Sequence, residues 1–377
     1  MSAASRSCVA LIRHQLFLPS EVFITEQART MRGFLPWLVG REVAGEPRDG
    51  IDYYVPRDGG RLAQLDYVIR RNPTLFMSEL QRHKPVLIHA HFGVEAVYAL
   101  EMAERLQVPL VTTFHGFDAT LGNLKLLTSR KPSWLNYLLH RPRLQRRGQL
   151  FLCVSQFIRN RLLQLGFPAE RTRVHYIGVD SARFAPSQPN PEEPLVLHVA
   201  RLVEQKGTVV LLEAFAEISR RHPQARLVVI GDGPLRSKLR RHARELMIVD
   251  RVLWLGATTH EQVRAWLARA SVFCLPSYTP ASGATEGLGM VLLEAAASGV
   301  PTVGTRHGGI PEAVVDRQTG YLVRERSVAE LTKALDALLS TPQLCRQLGS
   351  QARQMVRSRF DLWTQTAALE RHYESVL

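Results

Sequence analysis

The sequence of 377 residues predicts two α/β domains, each a doubly wound parallel sheet covered by helices on both faces. Three observations support this prediction. Short, continuously apolar runs alternate with amphipathic helical stretches, the length exceeds that of one ordinary core, and a proline-rich segment at 186–194 separates two series of runs. We therefore expect a first domain at 1–187, a second at 188–359, and a C-terminal helix at 360–377 that could cross back to the first domain.

The predicted strands are short and rich in β-branched or apolar residues. They are 8–12, 86–89, 110–114 and 150–154 in the first domain, and 195–199, 226–230, 252–255, 272–275, 301–304 and 320–323 in the second. Parallel strands that are buried on both faces have this continuous apolar pattern. Two facing Rossmann-like domains would bind a ligand in the cleft at the carboxyl ends of these strands.

The composition is that of a soluble globular protein. Hydrophobic residues make up 45% and charged residues 22% of the chain, which excludes disorder, collagen and coiled coil. No apolar run approaches the roughly 18 residues of a membrane span, and the first residues lack the pattern of a signal peptide. The four cysteines are far apart and form no CxxC pair, so we expect a cytoplasmic protein without a zinc site or a disulfide framework.

A basic stretch at 125–161 interrupts the otherwise mixed charge. Between Asp118 and Glu170 there are nine Lys and Arg residues and no acid, interleaved with leucines, Trp134 and Tyr137. Such a stretch can lie peripherally on the anionic inner face of the cytoplasmic membrane. The alternative is a solvated basic face over an ordinary helix. No motif for RNA or DNA binding accompanies the charge, so we expect no nucleic-acid partner.

The strongest chemical pattern lies in the second domain, where Glu286 precedes the turn Gly287-Leu288-Gly289 and Glu294 follows eight residues after Glu286. A glycine-bracketed turn that leads into a helix offers unpaired backbone N–H groups and the positive end of the helix dipole, which suit a diphosphate. Glu286 would then face a sugar, and Glu294 a ribose. The alternative is an ordinary helix start with a surface glutamate. A second Gly-Gly turn at 308–312 favours the functional interpretation.

Two further loops of the second domain carry candidate donor-binding groups. Arg201 ends the first predicted strand of that domain and Lys206 precedes the next helix, so both cations would lie at the carboxyl end of the sheet and neutralise a leaving diphosphate. Gly231 and Gly233 form a turn after another strand, and their small size would let a nucleotide approach.

These motifs resemble a known family. TEGLGMVLLEAAASGVPTVGTRHGGIPEAV, with its E-x7-E pair, resembles the signature of retaining glycosyltransferases of the GT-B fold, family 4. HVARLVEQKG, VIGDGP, LWLGATTHEQV and VSQFIRNRLLQLGFPAERTRVHYIGVDSARF are similar to successive blocks of that family, in the same order. The resemblance runs from about Val86 to the C-terminus. It implies the GT-B fold, a nucleoside-diphosphate sugar as donor (UDP- or GDP-linked), retention at the anomeric carbon, and no cofactor or obligatory metal. The sequence indeed contains no DxD triplet.

The resemblance also implies roles for individual residues. In the second domain, Arg201 and Lys206 would hold the diphosphate, Glu286 the sugar hydroxyls, Gly287 to Gly289 a phosphate or sugar through backbone N–H groups, and Glu294 the ribose. In the first domain, TFHGFD is similar to the His-Gly block of the family. His115 would reach over the donor sugar or the reacting phosphate, with Asp118 nearby.

The acceptor side is predicted less fully. His89 and His91 end the strand before His115 and are candidates to line the acceptor side, although either could be a structural histidine. Asp118 is a further acceptor-side candidate. Many family members have a Gly-Gly loop after the first strand, but here no glycine occurs before Gly33. The segment is similar to that of a polysaccharide-assembly subgroup, matched by Ser20, Glu21, Phe23 and Ile24, and we include Ser20 and Glu21 among the acceptor-side candidates.

The resulting hypothesis is a glycosyltransferase that builds a bacterial surface polysaccharide, lipopolysaccharide or lipid-linked oligosaccharide. One alternative is another GT-B enzyme, such as a sugar-nucleotide epimerase. A phosphorylase would need a pyridoxal lysine, for which the six lysines offer no suitable context. The other alternative is a non-catalytic protein that binds a nucleotide sugar, which would need no groups for a transition state. The sugar, the base, the acceptor, the linkage and the oligomeric state remain open at this point.

Overall fold

A computed structural model of the chain describes residues 6–56, 60–190 and 192–377. It divides into two compact units, of which the first comprises Met1–Gly178 with Leu362–Leu377 and the second Val179–Asp361. The division therefore falls nine residues before the boundary predicted at 187/188. The proline-rich segment 186–194, of which Pro191 lies outside the described residues, is not a linker. It belongs to the second unit, where the Ser187 and Gln188 amides donate to Ser298 O and Ala268 O at 2.7 and 2.8 Å.

The first unit contains a parallel sheet and a two-stranded ribbon. The strands are β1 Ser7–Ile12, β2 Gln15–Leu16, β3 Phe34–Val39, β4 Glu42–Val43, β5 Asp52–Tyr54, β6 Leu87–His91, β7 Leu110–Phe114, β8 Leu150–Cys153 and β9 Thr172–Val174. The main sheet has the order β5-β3-β1-β6-β7-β8-β9, and β2 pairs with β4. The order reverses between β1 and β6, and that position is the topological switch point at which doubly wound sheets bind ligands.

Helices connect these strands. They are α1 Val22–Thr30, α2 Arg61–Arg70, α3 Thr74–His83, α4 Gly93–Leu106, α5 Phe117–Thr120, α6 Asn123–Thr128, α7 Pro132–Arg147 and α8 Gln156–Gln164. The α8 helix shows why the sequence begins a helix there: the Ser155 side chain accepts a hydrogen bond from the Ile158 amide, which would otherwise lack an intrahelical partner.

The second unit has one parallel sheet with the strand order β12-β11-β10-β13-β14-β15. Its strands are β10 Leu195–Val199, β11 Arg226–Ile230, β12 Val252–Gly256, β13 Val272–Leu275, β14 Thr302–Thr305 and β15 Gly320–Val323. Its helices are α9 Thr208–Arg221, α10 Arg236–Glu245, α11 His260–Leu267, α12 Met290–Ala297, α13 Ile310–Ala313, α14 Val328–Ser340 and α15 Pro342–Arg359. The switch point lies between β10 and β13, where the strand order reverses.

The last helix, α16 Leu362–Glu374, belongs to the first unit. Its Leu369 and Tyr373 are fully buried in the core beneath β1 and β6, and the Thr366 and Thr30 hydroxyls lie 2.7 Å apart. Glu370 accepts hydrogen bonds from three successive amides of residues 32–34. The helix predicted at 360–377 is therefore present, although it begins at Leu362.

The ten predicted strands are confirmed within one or two residues, but five others went unpredicted. The β3 sequence FLPWLV contains Pro36, which cannot donate to a ladder and therefore argued against a strand. β5 and β9 are three-residue edge strands with polar residues, and β2 and β4 have only two residues each. Such strands lack the continuous apolar run on which the prediction depended.

Candidate functional site

The second unit brings polar and charged side chains together at its switch point. Three of them follow neighbouring strands by two residues each: Ser277 follows β13, His307 follows β14 and Glu325 follows β15. Lys206 closes a short turn after β10, which pairs with β13. Because the carboxyl ends of parallel strands meet at one edge of a sheet, these loops converge.

Glu286 is the centre of this cluster. The Lys206 ammonium donates to both of its carboxylate oxygens, at 2.9 and 2.6 Å, and the Ser277 hydroxyl donates to Oε2 at 3.2 Å. Burial by itself would raise the pKa of the Glu286 carboxyl, but the Lys206 charge, the hydrogen bonds from Lys206 and Ser277, and the nearby His307 outweigh it and hold that pKa below its ordinary value. Glu286 is therefore an ionised acceptor with a fixed orientation, which suits the hydroxyl groups of a sugar.

The glycines around Glu286 either permit a positive φ before a helix or permit two backbone segments to approach closely. Gly289 adopts φ +84° and immediately precedes α12, as predicted for a turn that opens a helix N-terminus. At Gly308 an added Cβ would lie 2.3 Å from Glu286 O, and at Gly309 it would lie 2.0 Å from Gly287 O. The second Gly-Gly turn thus supports the first by close backbone contact, and the Gly309 amide donates to Glu286 O at 2.9 Å.

Gly231 and Gly233 likewise permit one loop to support another. An added Cβ at Gly231 would lie 1.9 Å from Ala200 O, and one at Gly233 would lie 2.5 Å from Leu202 O. The loop after β11 therefore lies directly against the backbone of residues 200–202, which carries Arg201. The Arg201 side chain is exposed and forms no ion pair with any residue that the structure describes. Its charge is available to a ligand.

Glu294 has a separate partner. It lies in the second turn of α12, and its Oε1 is 3.1 Å from Nε2 of His260. His260 begins α11, which is fixed by a capping box between Thr259 and Gln262. Because α12 begins at Met290, no single helix spans Glu286 and Glu294.

The first unit also has a charged cluster at its switch point. Arg13 directly follows β1, and its Nε and Nη2 donate to the two carboxylate oxygens of Glu21 at 2.7 and 2.8 Å. Its Nη1 bonds to Glu95 in the first turn of α4, and the guanidinium lies 4.5 Å from the centre of the Phe92 ring. This arrangement occupies the position at which many family members have a glycine loop. Of the two acceptor-side candidates here, Glu21 forms an ion pair with Arg13, whereas the Ser20 side chain is exposed.

Glu95 is almost completely buried. Desolvation raises the pKa of its carboxyl to about 7, although the Arg13 charge opposes the shift. Its Oε2 atom finds no hydrogen-bond partner within the described part of the chain. Arg13 therefore lies between one carboxylate that is well bonded and another that is half satisfied, and its charge is neutralised inside the unit.

His115 follows β7 as predicted. Its Nε2 lies 3.1 Å from Nδ1 of His91, and its ring packs against Phe23 and Phe92, with centroids 5.1 and 4.5 Å away. Burial, followed by the positive charges of nearby histidines and Arg13, keeps the pKa of His115 well below its ordinary value. His115 is thus a neutral hydrogen-bonding group rather than a cation.

Two acceptor-side predictions in the first unit require correction. His89 is 0% exposed, and its Nδ1 and Nε2 contact the Tyr373 and Thr113 hydroxyls at 2.6 and 2.7 Å, so it is a core residue. Asp118 is also buried, and its carboxylate accepts from the amides of His115, Gly116 and Gly93. Asp118 therefore fixes the His115 loop and the start of α4, and neither side chain is accessible to an acceptor. His91 is 2% exposed and faces His115.

His307, Glu325, Ser277 and Arg13 did not emerge from the sequence. His307 is buried beneath the glycine turn: the Glu286 amide donates to its Nε2 at 3.1 Å, and its Nδ1 lies 3.0 Å from Glu325 Oε1. Its only signal in the sequence is its position directly before Gly308. No group of three or more His, Cys, Asp or Glu side chains among the described residues is arranged to hold a metal ion.

The basic stretch 125–161 is divided in the structure. Arg143 and Arg147 form ion pairs with Glu101 and Glu104 of α4, and Arg159 donates to a backbone carbonyl. The exposed cations on and beside α2, α6 and α7 that form no ion pair with a described residue are Arg61, Lys125, Arg130, Lys131 and Arg146. Large apolar side chains are exposed on the same three helices, namely Leu62, Leu65, Ile69, Leu124, Leu127, Leu135 and Leu139. In the described residues no helix has the length and apolarity that a membrane span requires.

The comparison with known families decides the assignment. Residues 180–355 match the family described as "Glycosyl transferases group 1", and residues 21–183 match "Glycosyltransferase Family 4". The chain belongs to the group 1 glycosyltransferases of family 4. The two matches include the switch-point clusters of both units, apart from Arg13.

Two relatives place this group 1 glycosyltransferase among curated proteins. WcaL of Escherichia coli strain K12, named for colanic acid biosynthesis, is 35% identical over 278 residues, which cover 72% of this chain and 66% of WcaL. The chain thus spans slightly less than two thirds of that relative. A glycogen synthase of Mycobacterium tuberculosis strain H37Rv is 31% identical over 300 residues, which cover 77% of this chain and 69% of that enzyme.

A solved structure confirms the fold. Anabaena Alr3699/HepE, crystallised in complex with UDP-glucose, superposes with a TM-score of 0.79 at 21% identity and covers 98% of this chain and 99% of its own. The GT-B class with two parallel-sheet α/β domains, which the sequence predicts for this group 1 glycosyltransferase, is therefore correct.

Proposed function

We propose that this group 1 glycosyltransferase moves a sugar, with retention, from a UDP- or GDP-linked donor to a glycan or lipid-linked oligosaccharide in the assembly of a bacterial envelope or secreted polysaccharide. The observation that carries the proposal is Glu286, an ionised carboxylate that Lys206 and Ser277 hold directly before the N-terminus of α12. The complex of Alr3699/HepE with UDP-glucose supports the donor class, and the name of WcaL supports the polysaccharide.

The donor diphosphate has three complementary groups in the second unit. The first amides of α12 lack intrahelical acceptors and lie at the positive end of its dipole. Arg201 adds an exposed guanidinium, and Lys206 adds an ammonium that pairs with Glu286. Glu294, beside His260, would accept from the ribose. Together these groups supply the anion site and the hydroxyl acceptors that a nucleotide sugar needs.

The chemistry would rest on stabilising the leaving group. The bond between the anomeric carbon and the diphosphate oxygen breaks as the acceptor hydroxyl attacks from the same face, and the hydroxyl proton leaves with the diphosphate. Arg201, Lys206 and the α12 dipole stabilise the charge that develops on the diphosphate. Glu286 orients the sugar, and neutral His115 offers a hydrogen bond without a competing positive charge. No metal ion or cofactor takes part in this proposal.

The acceptor would be presented at a membrane surface. Exposed leucines and unpaired cations occur together on α2, α6 and α7, and Asn136 of α7 ties that helix to α2 through the carbonyls of Val68 and Ile69. Apolar side chains with interspersed cations complement the interface of an anionic bilayer. We call this the leucine-basic surface and propose that it holds the protein peripherally on the inner face of the cytoplasmic membrane.

Thermal shift with nucleotides tests the donor site. UDP, GDP, ADP and CMP are compared on the wild type, on Arg201→Ala with Lys206→Ala, and on Lys238→Ala, an exposed lysine of the same unit, as the control. A ligand at 100 times its Kd that binds only the native state adds about 2.7 kcal/mol of stability. We expect one nucleoside diphosphate to raise the Tm of the wild type and the control but not of the double variant. No shift with any nucleotide would refute the donor site.

A further inference from the structure

We infer that His307 is a positioning residue that fixes the donor loop, residues 286–289, through the backbone of Glu286. The inference deepens the proposed function and rests on it. His307 lies two residues beyond β14, its side chain is 0% exposed, and its Nε2 is the acceptor for the Glu286 amide at 3.1 Å. The buried His307 ring therefore uses its acceptor nitrogen to hold a backbone amide of the donor loop.

The hydrogen bonds determine the tautomer of His307. Because Nε2 accepts from the Glu286 amide, the ring proton must lie on Nδ1. There it faces Glu325 Oε1 at 3.0 Å, with the Thr279 hydroxyl 3.3 Å from the same nitrogen. Glu325 is itself anchored, since the Thr279 amide donates to its Oε2 at 2.8 Å. The loops after β13, β14 and β15 are thus joined through one ring.

Glu286 is consequently held on both sides of its Cα atom. The His307 ring receives the amide before the Cα, and the Gly309 amide binds the carbonyl after it at 2.9 Å. Two fixed peptide groups determine the direction of the Cα–Cβ bond, and Lys206 and Ser277 then complete the orientation of the carboxylate. A group that is fixed before the substrate binds loses no freedom when it does.

The test compares His307→Leu, which keeps the volume but removes both nitrogens, with His307→Gln, which retains a donor and an acceptor. His222→Leu is the matched control, because it removes a partly buried histidine of the same unit that pairs with Asp336 at 2.7 Å. Calorimetry measures the Kd of UDP and of UDP-glucose, or of the corresponding pair if the thermal-shift panel selects another base. The ratio of the two values reports on the sugar contact alone.

We expect His307→Leu to weaken UDP-glucose about tenfold but UDP less than about twofold, because the lost hydrogen bond orients the sugar-binding carboxylate. His307→Gln should recover most of this loss, and His222→Leu should change neither Kd. Equal weakening of both ligands would overturn the inference, since it would indicate a merely structural histidine. If His307→Leu does not fold, Glu325→Gln provides the same comparison with a smaller loss.

A second readout does not depend on donor binding. Nitrogen NMR of histidine-labelled protein should show His307 as the Nδ1–H tautomer, with a coupling across the bond from the Glu286 amide to Nε2. An Nε2–H tautomer would overturn the inference whatever the nucleotide data show. If the tautomer is as expected but the wild type binds no nucleotide, the proposed function fails and the positioning role fails with it, while the hydrogen-bond geometry stands.

Discussion

The two switch points have the same plan but opposite electrostatic outcomes. In each unit a cation follows the first central strand and bonds to glutamate: Arg13 to Glu21 and Glu95, and Lys206 to Glu286. Arg13 is shared between two carboxylates and surrounded by neutral histidines. Lys206 has one carboxylate, while Arg201 and a helix N-terminus add further positive potential. One topology therefore leaves the charge neutralised within the first unit and leaves positive potential available to a ligand in the second.

This difference shows that the sheet topology determines where a switch point lies but not its chemistry. Its chemistry depends on whether its charges are satisfied by the protein or left for a ligand. The cation of the first unit should therefore matter mainly for folding, and the cation of the second unit mainly for ligand binding and catalysis. Two experiments can break or sharpen this contrast, and a third, with the smallest expected effect on stability, tests the exposed surface of the first unit.

Removing the two cations in the same way should give opposite results. Lys206→Met should lower kcat/KM at least about 100-fold, because it removes a positive charge that stabilises the leaving diphosphate. It should destabilise the protein less than Arg13→Met does, because it leaves one carboxylate rather than two without a counter-ion. Arg13→Met should destabilise the protein by about 3 kcal/mol, because it leaves Glu95 and Glu21 together without a counter-ion. Donor turnover and urea unfolding measure the two effects. The contrast is lost if Lys206→Met unfolds the protein as readily as Arg13→Met.

Acid should weaken the first unit before the second. Burial lowers the pKa of five of its histidines most strongly, His14 and His175 to about 3 and His89, His91 and His115 well below the ordinary range. Below about pH 6.5 the unfolded state binds these protons and the folded state does not, so stability falls as the pH falls. Glu95 and Asp118, with pKa values of about 7 and 6, act in the opposite sense. Five histidines outweigh two carboxyls.

In the second unit, the lowered pKa values of Glu286 and Glu325 remove stability only below about pH 4.5, as those carboxylates become protonated. Burial also lowers the pKa of His198 to about 4, which is one histidine against five. Hydrogen exchange at pH 7 and pH 5.5, followed by peptide, should therefore show faster exchange in β1, β6 and β7 than in β10, β13 and β14 at the lower pH. The comparison is of protection relative to the intrinsic exchange rate at each pH, and an equal loss of protection in both sheets would contradict the contrast.

The smallest effect on stability is expected at the leucine-basic surface. Leu135→Ser with Leu139→Ser should change the free energy of unfolding by less than about 0.5 kcal/mol, since both side chains are exposed. Binding to vesicles that contain phosphatidylglycerol should fall at least about fivefold, and Leu253→Ser, an exposed leucine of the second unit, should leave it unchanged. Unaltered vesicle binding by the double variant would refute the membrane contact.

The sequence predicts the sheets better than the site. β10 and β13 are continuous apolar runs, so pattern alone locates them, whereas Pro36 hides β3. His89 and His115 both lie at the ends of predicted strands, and only the tertiary structure shows that the first is enclosed by Tyr373 and Thr113.

The sequence predicts some members of the charged clusters but not the contacts between them. Glu286 and Lys206 belong to recognisable motifs, but their direct bond joins positions 80 residues apart. His307 and Glu325 lie outside any spacing rule, because their relation depends on three strands ending side by side. Local pattern identifies groups within a motif, but contacts between loops require the fold.

The position of α16 has a consequence for synthesis on the ribosome. The first unit needs Leu369 and Tyr373 to fill its core and to bond His89, yet these residues emerge only after all of Val179–Asp361 has been translated. The second unit is continuous in the chain and can complete its core while translation proceeds. Until then, the nascent first unit has an open groove beside β1 and β6, and its exposed apolar surface could bind a chaperone. Docking of α16 would cover that surface.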